Sequence, residues 1–170
     1  MKPPPLPADT LRRVITVGRS NGMIVVFPFA LLCALIALVM GDLVSAFFGL
    51  LVAAAGWSEW HGAKLLQRGE AHGINWLVRS QLYLLTLIML YALERMASYD
   101  ADNVRSMITP EMNQLFQEGG LNVQDILPLV RTAFFAMYGS LALVTLLYQG
   151  GLALFYWRRR EIVRTALGEK

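Results

Sequence analysis

Four long apolar runs separated by polar segments dominate the hydrophobic pattern of the chain. They cover about residues 23–40, 43–66, 76–97 and 129–157. A helix that crosses the hydrocarbon of a bilayer needs about 20 apolar residues at 1.5 Å each, so each run is long enough for one transmembrane helix. We therefore predict an all-α fold: a polytopic membrane protein with an antiparallel four-transmembrane-helix bundle, formed as a single domain over residues 1–170.

The polar segment before the first run predicts a short helix at the membrane interface. Asp9 or Thr10 is a typical N-cap, and Leu11, Val14 and Ile15 form a short apolar stripe beside arginines. Such a helix places its apolar face in the interface and its charges among the lipid headgroups.

The outer loop, about residues 98–128, is the longest connection and predicts a small helical cap. Thr109-Pro110 is a typical helix start, and Gly119-Gly120 is a typical stop. Between them, three apolar side chains share one helical face: Met112, Leu115 and Phe116. The sequence therefore predicts a short amphipathic helix in this loop rather than a structureless linker.

Composition and charge support the membrane prediction and give it an orientation. The chain is 56% hydrophobic and only 16% charged, whereas soluble domains have about a quarter charged residues. If there are four spans, one side of the membrane carries twelve of the fifteen basic residues: Lys2, Arg12, Arg13, Arg19, Lys64, Arg68, Arg79, Arg158, Arg159, Arg160, Arg164 and Lys170. The positive-inside rule then places both termini on the cytoplasmic side of an inner membrane. Because topology explains the basic residues, we predict no nucleic-acid partner.

Small side chains mark one face of the second run. This face contains Ser45, Gly49, Val52, Ala53, Gly56, Glu59 and Ala63. Small residues let another helix approach closely, either in the same chain, which we favour, or in a second subunit. Glu59 belongs to this packed face, whereas His61 lies nearly opposite, so the two are poor ligands for one metal ion.

The positions of the charged residues along the predicted transmembrane helices indicate two ion pairs. Glu59 and Arg79 flank the short turn between the second and third runs, near the cytoplasmic rim. Glu94 and Arg131 lie at the outer ends of the third and fourth runs. We predict one pair at each end. For Glu59, a role as ion ligand or proton relay and an unpaired, snorkelling carboxylate remain alternatives.

The fourth run carries a polar stripe and a basic end. Tyr138, Thr145 and Gln149 share one face and are candidates either for hydrogen bonds between helices or for the lining of a wet groove. The run is followed by a group of arginines that we interpret as a topology signal and a contact for anionic lipids: Arg158, Arg159, Arg160 and Arg164.

Motifs of catalysis are absent from the sequence. It contains no nucleophile with a base, no metal-binding histidine motif and no glycine-rich phosphate loop. Cys33 is the single cysteine, so neither a disulfide framework nor a cysteine zinc site is possible. We predict no catalytic residue, no metal and no cofactor.

Three functional classes remain after these exclusions. The first is a non-enzymatic structural, accessory or interaction component of the membrane, whose partners are the lipid bilayer and either a second copy or another membrane protein. The second is a homo-oligomeric channel or passive pore for ions or small solutes. The third is a lipid-modifying membrane enzyme that uses Glu59, His61 and Arg79 at the inner rim. We predict the first class.

Overall fold

A computed structural model describes residues 7–106, 108–120 and 122–168, and these residues are almost entirely helical. In chain order the elements are α1 (Pro7–Arg19), a π-helical stretch (Ser20–Val26), α2 (Phe27–Val39), α3 (Leu43–Gln67), α4 (Gly73–Ala97), α5 (Ala101–Ser106), α6 (Pro110–Glu118) and α7 (Val123–Ala166). In the described part of the chain, four helices are long and apolar enough to cross a membrane: Pro7–Val39, Leu43–Gln67, Gly73–Ala97 and Gln124–Ala166. The prediction of an all-helical chain with four long apolar helices is confirmed.

The first helix differs from the prediction because it continues without a break from Pro7 to Val39. The N–H of Phe27 donates to the carbonyl of Gly22, five residues earlier, which is the π-helical pattern. Pro28 has no N–H and its ring crowds the carbonyl four residues earlier, so a wider turn just before it relieves this conflict. The segment predicted as a separate interfacial helix is therefore the beginning of the first long helix. Its apolar face packs against protein, since Val14 is completely buried.

Local signals set the ends of the other helices. Asp42 caps α3, its carboxylate accepting hydrogen bonds from the backbone N–H of Ser45 at 3.0 Å and from its hydroxyl at 2.8 Å. In the segment between α4 and α7, the hydroxyl of Thr109 caps α6 by accepting a hydrogen bond from the N–H of Met112 at 3.3 Å. The helix predicted there is confirmed, and the chain leaves it through Gly120 with a positive φ of 73°.

The last helix is longer than the predicted run of about residues 129–157. It begins at Val123 and extends to Ala166, through the basic segment. Glu161 pairs with Arg160 at 3.1 Å and with Arg164 at 3.8 Å. The contact with Arg164, three residues on, joins neighbouring turns and supports the helix in this polar segment.

The chain divides into two compact units, one formed by residues up to Ile88 together with those from Thr145 onward, and one by Met89–Val144. In the first unit, side chains from α1, α3, α4 and α7 form a buried hydrophobic cluster: Val14, Ala63, Leu66, Ile74, Leu77, Val78, Tyr156 and Val163. The middle of α1, the end of α3, the start of α4 and the last turns of α7 therefore meet in one core.

Small residues bring the first helix and α3 into close contact. A Cβ atom added to Gly49 would lie 2.8 Å from Cβ of Ala34, and one added to Gly22 would lie 2.5 Å from the carbonyl oxygen of Gly56. The second contact is with backbone, which cannot move aside. The small face of α3 thus packs within its own chain, and the intramolecular interpretation is confirmed for these positions.

Candidate functional site: a buried polar network

Polar side chains are buried in the first unit, beside its hydrophobic core. They come from every long helix: Asn21, Glu59, Ser80, Gln81, Thr145 and Gln149. Burying a polar group costs free energy unless hydrogen bonds replace those it made with water. The partners of these side chains therefore determine what the site can do.

The carboxylate of Glu59 is the centre of this network and is only 1% exposed. The side-chain amide of Asn21 donates to Oε2 at 2.7 Å, and the hydroxyl of Tyr156 donates to Oε1 at 2.9 Å. The hydroxyl of Tyr148 donates in turn to Oδ1 of Asn21 at 3.0 Å. Each carboxylate oxygen therefore has a donor from another helix. Such bonds are shorter and stronger with a charged acceptor than with a neutral one.

The backbone of the first helix explains why a short asparagine side chain reaches this carboxylate. Asn21 lies in the π-helical stretch, and Gly22 beside it touches α3. A Cβ atom on Gly22 would lie 2.5 Å from the carbonyl oxygen of Gly56 and 3.1 Å from Cβ of Glu59, and the backbone contact restricts this position to glycine. On α7, Gln149 and Tyr156 are seven residues apart, which is two helical turns and hence the same face.

Two amides in the interior have unused hydrogen-bonding capacity. Gln81 is fully buried beside the Glu59 carboxylate, yet neither amide atom makes a well-formed hydrogen bond to a described residue. Oε1 of Gln149 is likewise without a donor among the described residues. An unsatisfied buried group of this kind costs about 1–3 kcal/mol. The network is therefore complete around the carboxylate oxygens and incomplete at the two glutamines.

The two predicted ion pairs are not found among the described residues. Glu59 bonds to Asn21 and Tyr156, and no ion pair joins it to Arg79. The reason is the direction of side chains on α4: because Gln81 points inward, Arg79, two residues and about 200° away, points outward.

Glu94 and Arg131, the other predicted pair, each contact residues close to them in sequence. Glu94 lies 3.7 Å from Arg95 and accepts a hydrogen bond from Ser98 at 3.0 Å. The guanidinium of Arg131 lies over the ring of Phe135 at 5.8 Å, and within the described ranges no ion pair joins it to Glu94. The charged groups that the sequence predicted to pair across helices therefore contact residues close to them in sequence.

The polar stripe predicted on the fourth apolar run is divided between the two units. Thr145 and Gln149 are each 6% exposed in the first unit. Tyr138, in the second unit, packs edge-on against Tyr91 with ring centroids 6.0 Å apart. The stripe is therefore largely packed inside one chain rather than presented as a continuous polar surface.

The remaining candidates lie toward the cytoplasmic ends of the helices in the predicted topology. His61 stacks on Trp57 and meets the edge of Trp76, with both centroid distances 5.5 Å. Arg159 and Arg160 lie over aromatic rings at 3.9 and 4.1 Å. Contact of Arg158, Arg159, Arg160 and Arg164 with anionic lipid stays a prediction.

Sequence reasoning missed Asn21 and Gln81. Asn21 lies in a polar Ser-Asn-Gly segment that resembles a helix flank, and only the continuous helix makes it an interior residue. Gln81 carried a readable signal, because Leu77, Gln81 and Leu84 follow the spacing of four and three residues that marks one helical face.

Comparisons with protein-family models, with curated proteins and with solved structures gave no significant match.

Proposed function

We propose that the protein is a non-enzymatic integral membrane protein that acts as a structural or interaction component of the membrane. Its four apolar helices cross the bilayer as an antiparallel bundle, with both termini on the cytoplasmic side of an inner membrane. The observation that carries this proposal is the use of the buried carboxylate: Glu59 accepts hydrogen bonds from Asn21 on the first helix and from Tyr156 on α7. The most polar group of the interior thus joins helices to one another.

The surroundings of the other polar residues support this choice over a pore. A channel between copies of the chain needs its polar lining on an outward face. Thr145 and Gln149, the predicted lining, are instead buried within one chain. Their positions favour hydrogen bonding and packing between helices.

The surroundings of Glu59, His61 and Arg79 likewise favour a structural role over a lipid-modifying enzyme at the inner rim. The three residues considered for such a site have separate surroundings. Glu59 is buried among hydrogen-bond donors, His61 is stacked on Trp57, and Arg79 points outward. General acid–base catalysis requires its groups within hydrogen-bonding reach of one substrate.

The outward surface of the helices supplies the area for lipid and for partners. On α7, Leu146 is 49% exposed and Leu147 is 69% exposed, whereas Ala153 is 7% exposed. Apolar side chains on this face fit either lipid tails or a helix of a second copy or of another membrane protein.

Native mass spectrometry of the protein released from nanodiscs tests the interaction role. We expect a discrete complex, either with a second copy or with another membrane protein, and we expect Leu147→Glu to dissociate it while the inward Ala153→Gly leaves it intact. A monomer released from gently prepared native membranes, with no partner at any concentration, would contradict the interaction role. Solute flux through reconstituted protein that is lost in Thr145→Val would instead favour the pore.

Cysteine labelling tests the proposed topology. In a Cys33→Ser background, a membrane-impermeant maleimide should label Asn113→Cys in intact spheroplasts and Thr165→Cys only after permeabilisation. Both positions lie outside the apolar stretches, so access to the reagent depends on the side of the membrane. Labelling of both positions from outside would refute the four-span topology.

A further inference from the structure

A groove of about 360 Å³ lies on the first unit between α3 and α4. Its lining combines one cation, two serine hydroxyls and two aromatic side chains: Ala54, Ser58, Trp76, Arg79, Ser80 and Tyr83. Trp76 and Tyr83 are each partly exposed, at 42% and 43%. The groove therefore opens on the outer surface of the helices, where lipid lies in the proposed topology.

Arg79 supplies a positive charge that the protein does not neutralise. Within the described residues its guanidinium makes no ion pair, no hydrogen bond and no contact with an aromatic face. Glu59, the partner predicted from the sequence, is buried and already accepts hydrogen bonds from Asn21 and Tyr156. An exposed cation on an apolar helix is costly unless an anion or water meets it.

The groove extends about 10 Å along α4 and has the polarity gradient of the headgroup end of a phospholipid. Counted at 1.5 Å per residue from the start of α4, Trp76 lies about 5 Å along the helix, Arg79 about 9 Å and Tyr83 about 15 Å. The 25 residues of α4 extend about 37 Å, against about 30 Å of hydrocarbon. In the proposed topology Arg79 thus lies within about 5 Å of the hydrocarbon edge, a depth from which an arginine reaches the headgroups by snorkelling.

The hydroxyls add a second polar contact next to the cation. The hydroxyl of Ser80 donates to the carbonyl of Leu77 at 2.9 Å, which leaves its oxygen as an acceptor only. The hydroxyl of Ser58 has no partner among the described residues, so it is available as a donor. A phosphate needs donors, and the groove provides them from Arg79 and Ser58, with Trp76 at the interface where amphipathic rings belong.

We propose that this groove is a binding site for an anionic phospholipid, with the phosphate held by Arg79 and Ser58 and an acyl chain lying toward Ala54 and Tyr83. The inference rests on the proposed membrane insertion. The site differs from the basic end of α7, where Arg160 and Arg164 both pair with Glu161. A planar guanidinium binds phosphate through two parallel hydrogen bonds, so lysine is a poor replacement at this position.

Lipid retention measured by native mass spectrometry tests the site. Protein is reconstituted in nanodiscs of equal parts phosphatidylglycerol and phosphatidylcholine, and bound lipids are counted after release. We expect one phosphatidylglycerol to be retained by the native chain and its retention to fall about fivefold in Arg79→Gln, as for the loss of one cationic contact near the membrane surface. Arg68→Gln is the matched control, because it removes the same charge from the adjoining turn outside the groove.

A second variant leaves the charge in place and fills the groove. Ala54→Phe should reduce phosphatidylglycerol retention as Arg79→Gln does, since it occupies the space proposed for the acyl chain. Equal losses in Arg79→Gln and Arg68→Gln, or no loss in either groove variant, would overturn the site. Retention that is abolished by millimolar inorganic phosphate would identify a site for a free anion and also overturn it. Failure of membrane insertion is detected separately, by the cysteine labelling of Asn113 and Thr165.

Discussion

The hydrogen bond between Tyr156 and Glu59 should contribute measurably to stability. In Tyr156→Phe the aromatic ring remains in the core and only the hydroxyl is lost, so Oε1 of a carboxylate that is 1% exposed loses its donor at 2.9 Å. The ring itself is completely buried, so water cannot replace the hydroxyl without opening the core. Tyr156→Phe therefore removes little more than the hydrogen bond to Glu59.

Two magnitudes bound the expected effect. A hydrogen bond to a charged group contributes about 1.5–3 kcal/mol in soluble proteins. Hydrogen bonds between helices in a membrane average about 0.6 kcal/mol, with a maximum of about 1.7 kcal/mol, because the unfolded state in the membrane also finds partners. Since the acceptor is a carboxylate inside the protein, we expect Tyr156→Phe to destabilise the protein by about 1.5 kcal/mol, at the overlap of the two ranges.

A double-mutant cycle in bicelles, with unfolding followed by steric trapping, isolates the bond. Glu59→Met is the second mutation, because it removes both acceptor oxygens and keeps a similar volume. In the Glu59→Met background, Tyr156→Phe should cost little, since the hydroxyl then has no acceptor. Tyr83→Phe is the control for loss of a tyrosine hydroxyl, as Tyr83 makes no hydrogen bond to a described residue. A coupling energy below about 0.5 kcal/mol would refute the view that the carboxylate holds α3 and α7 together.

Three further perturbations test the close packing at Gly22, the unsatisfied amide of Gln81 and the N-terminal cap of α6. Gly22→Ala should destabilise the protein by about 1–3 kcal/mol in thermal unfolding, because the added Cβ atom would lie 2.5 Å from a backbone oxygen. The control is Gly150→Ala, whose added Cβ atom would meet nothing within 4 Å, so this variant should be neutral or stabilising. Gln81→Leu should stabilise the protein by about 1 kcal/mol by removing unsatisfied amide atoms; a loss of stability would show instead that this amide holds a polar partner. The hydroxyl of Thr109 keeps the pKa of Glu111 below its usual range. The resulting stabilisation of α6 should therefore be complete above about pH 4.3, the pKa of glutamate in the unfolded chain, and should be lost as the pH falls through the pKa of Glu111 in the folded protein. Amide hydrogen exchange of α6 should show this acid sensitivity in the native chain, and its persistence unchanged in Thr109→Val would contradict the mechanism.

The long helices were predictable because their signal is repeated many times along the chain. The runs predicted at about 43–66 and 76–97 correspond to α3 and α4 at Leu43–Gln67 and Gly73–Ala97. The ends of α6 were predictable from Thr109 and Gly119, since a cap is a short-range property of a few neighbouring residues.

The partners of the charged residues were not predictable from depth alone. The depths and opposite charges of Glu59 and Arg79 predict that they pair, but the actual partner of each residue depends on the direction in which its side chain points. Asn21 reaches Glu59 only because Gly22 and Gly56 allow backbone contact, and because the first helix continues through a segment whose composition resembles a flank. Such a contact depends on the packing of two distant segments, which no local pattern in either of them contains.

The π-helical stretch has a consequence for sequence length. Its wide turn holds more residues than an α-helical turn, and each residue corresponds to about 100° of rotation in the α-helix that follows. Substitutions that make the stretch from Ser20 to Val26 α-helical without removing a residue would turn the preceding segment by about 100° relative to α2, whereas deletion of one residue there would restore an α-helical turn and nearly keep the original orientation. In the rotated segment Val14 would leave the hydrophobic core. The first helix should therefore accept many substitutions of its outward-facing residues, and between Val14 and Ala30 it should tolerate the loss of one residue, which the π-helical stretch can absorb, better than the insertion of one.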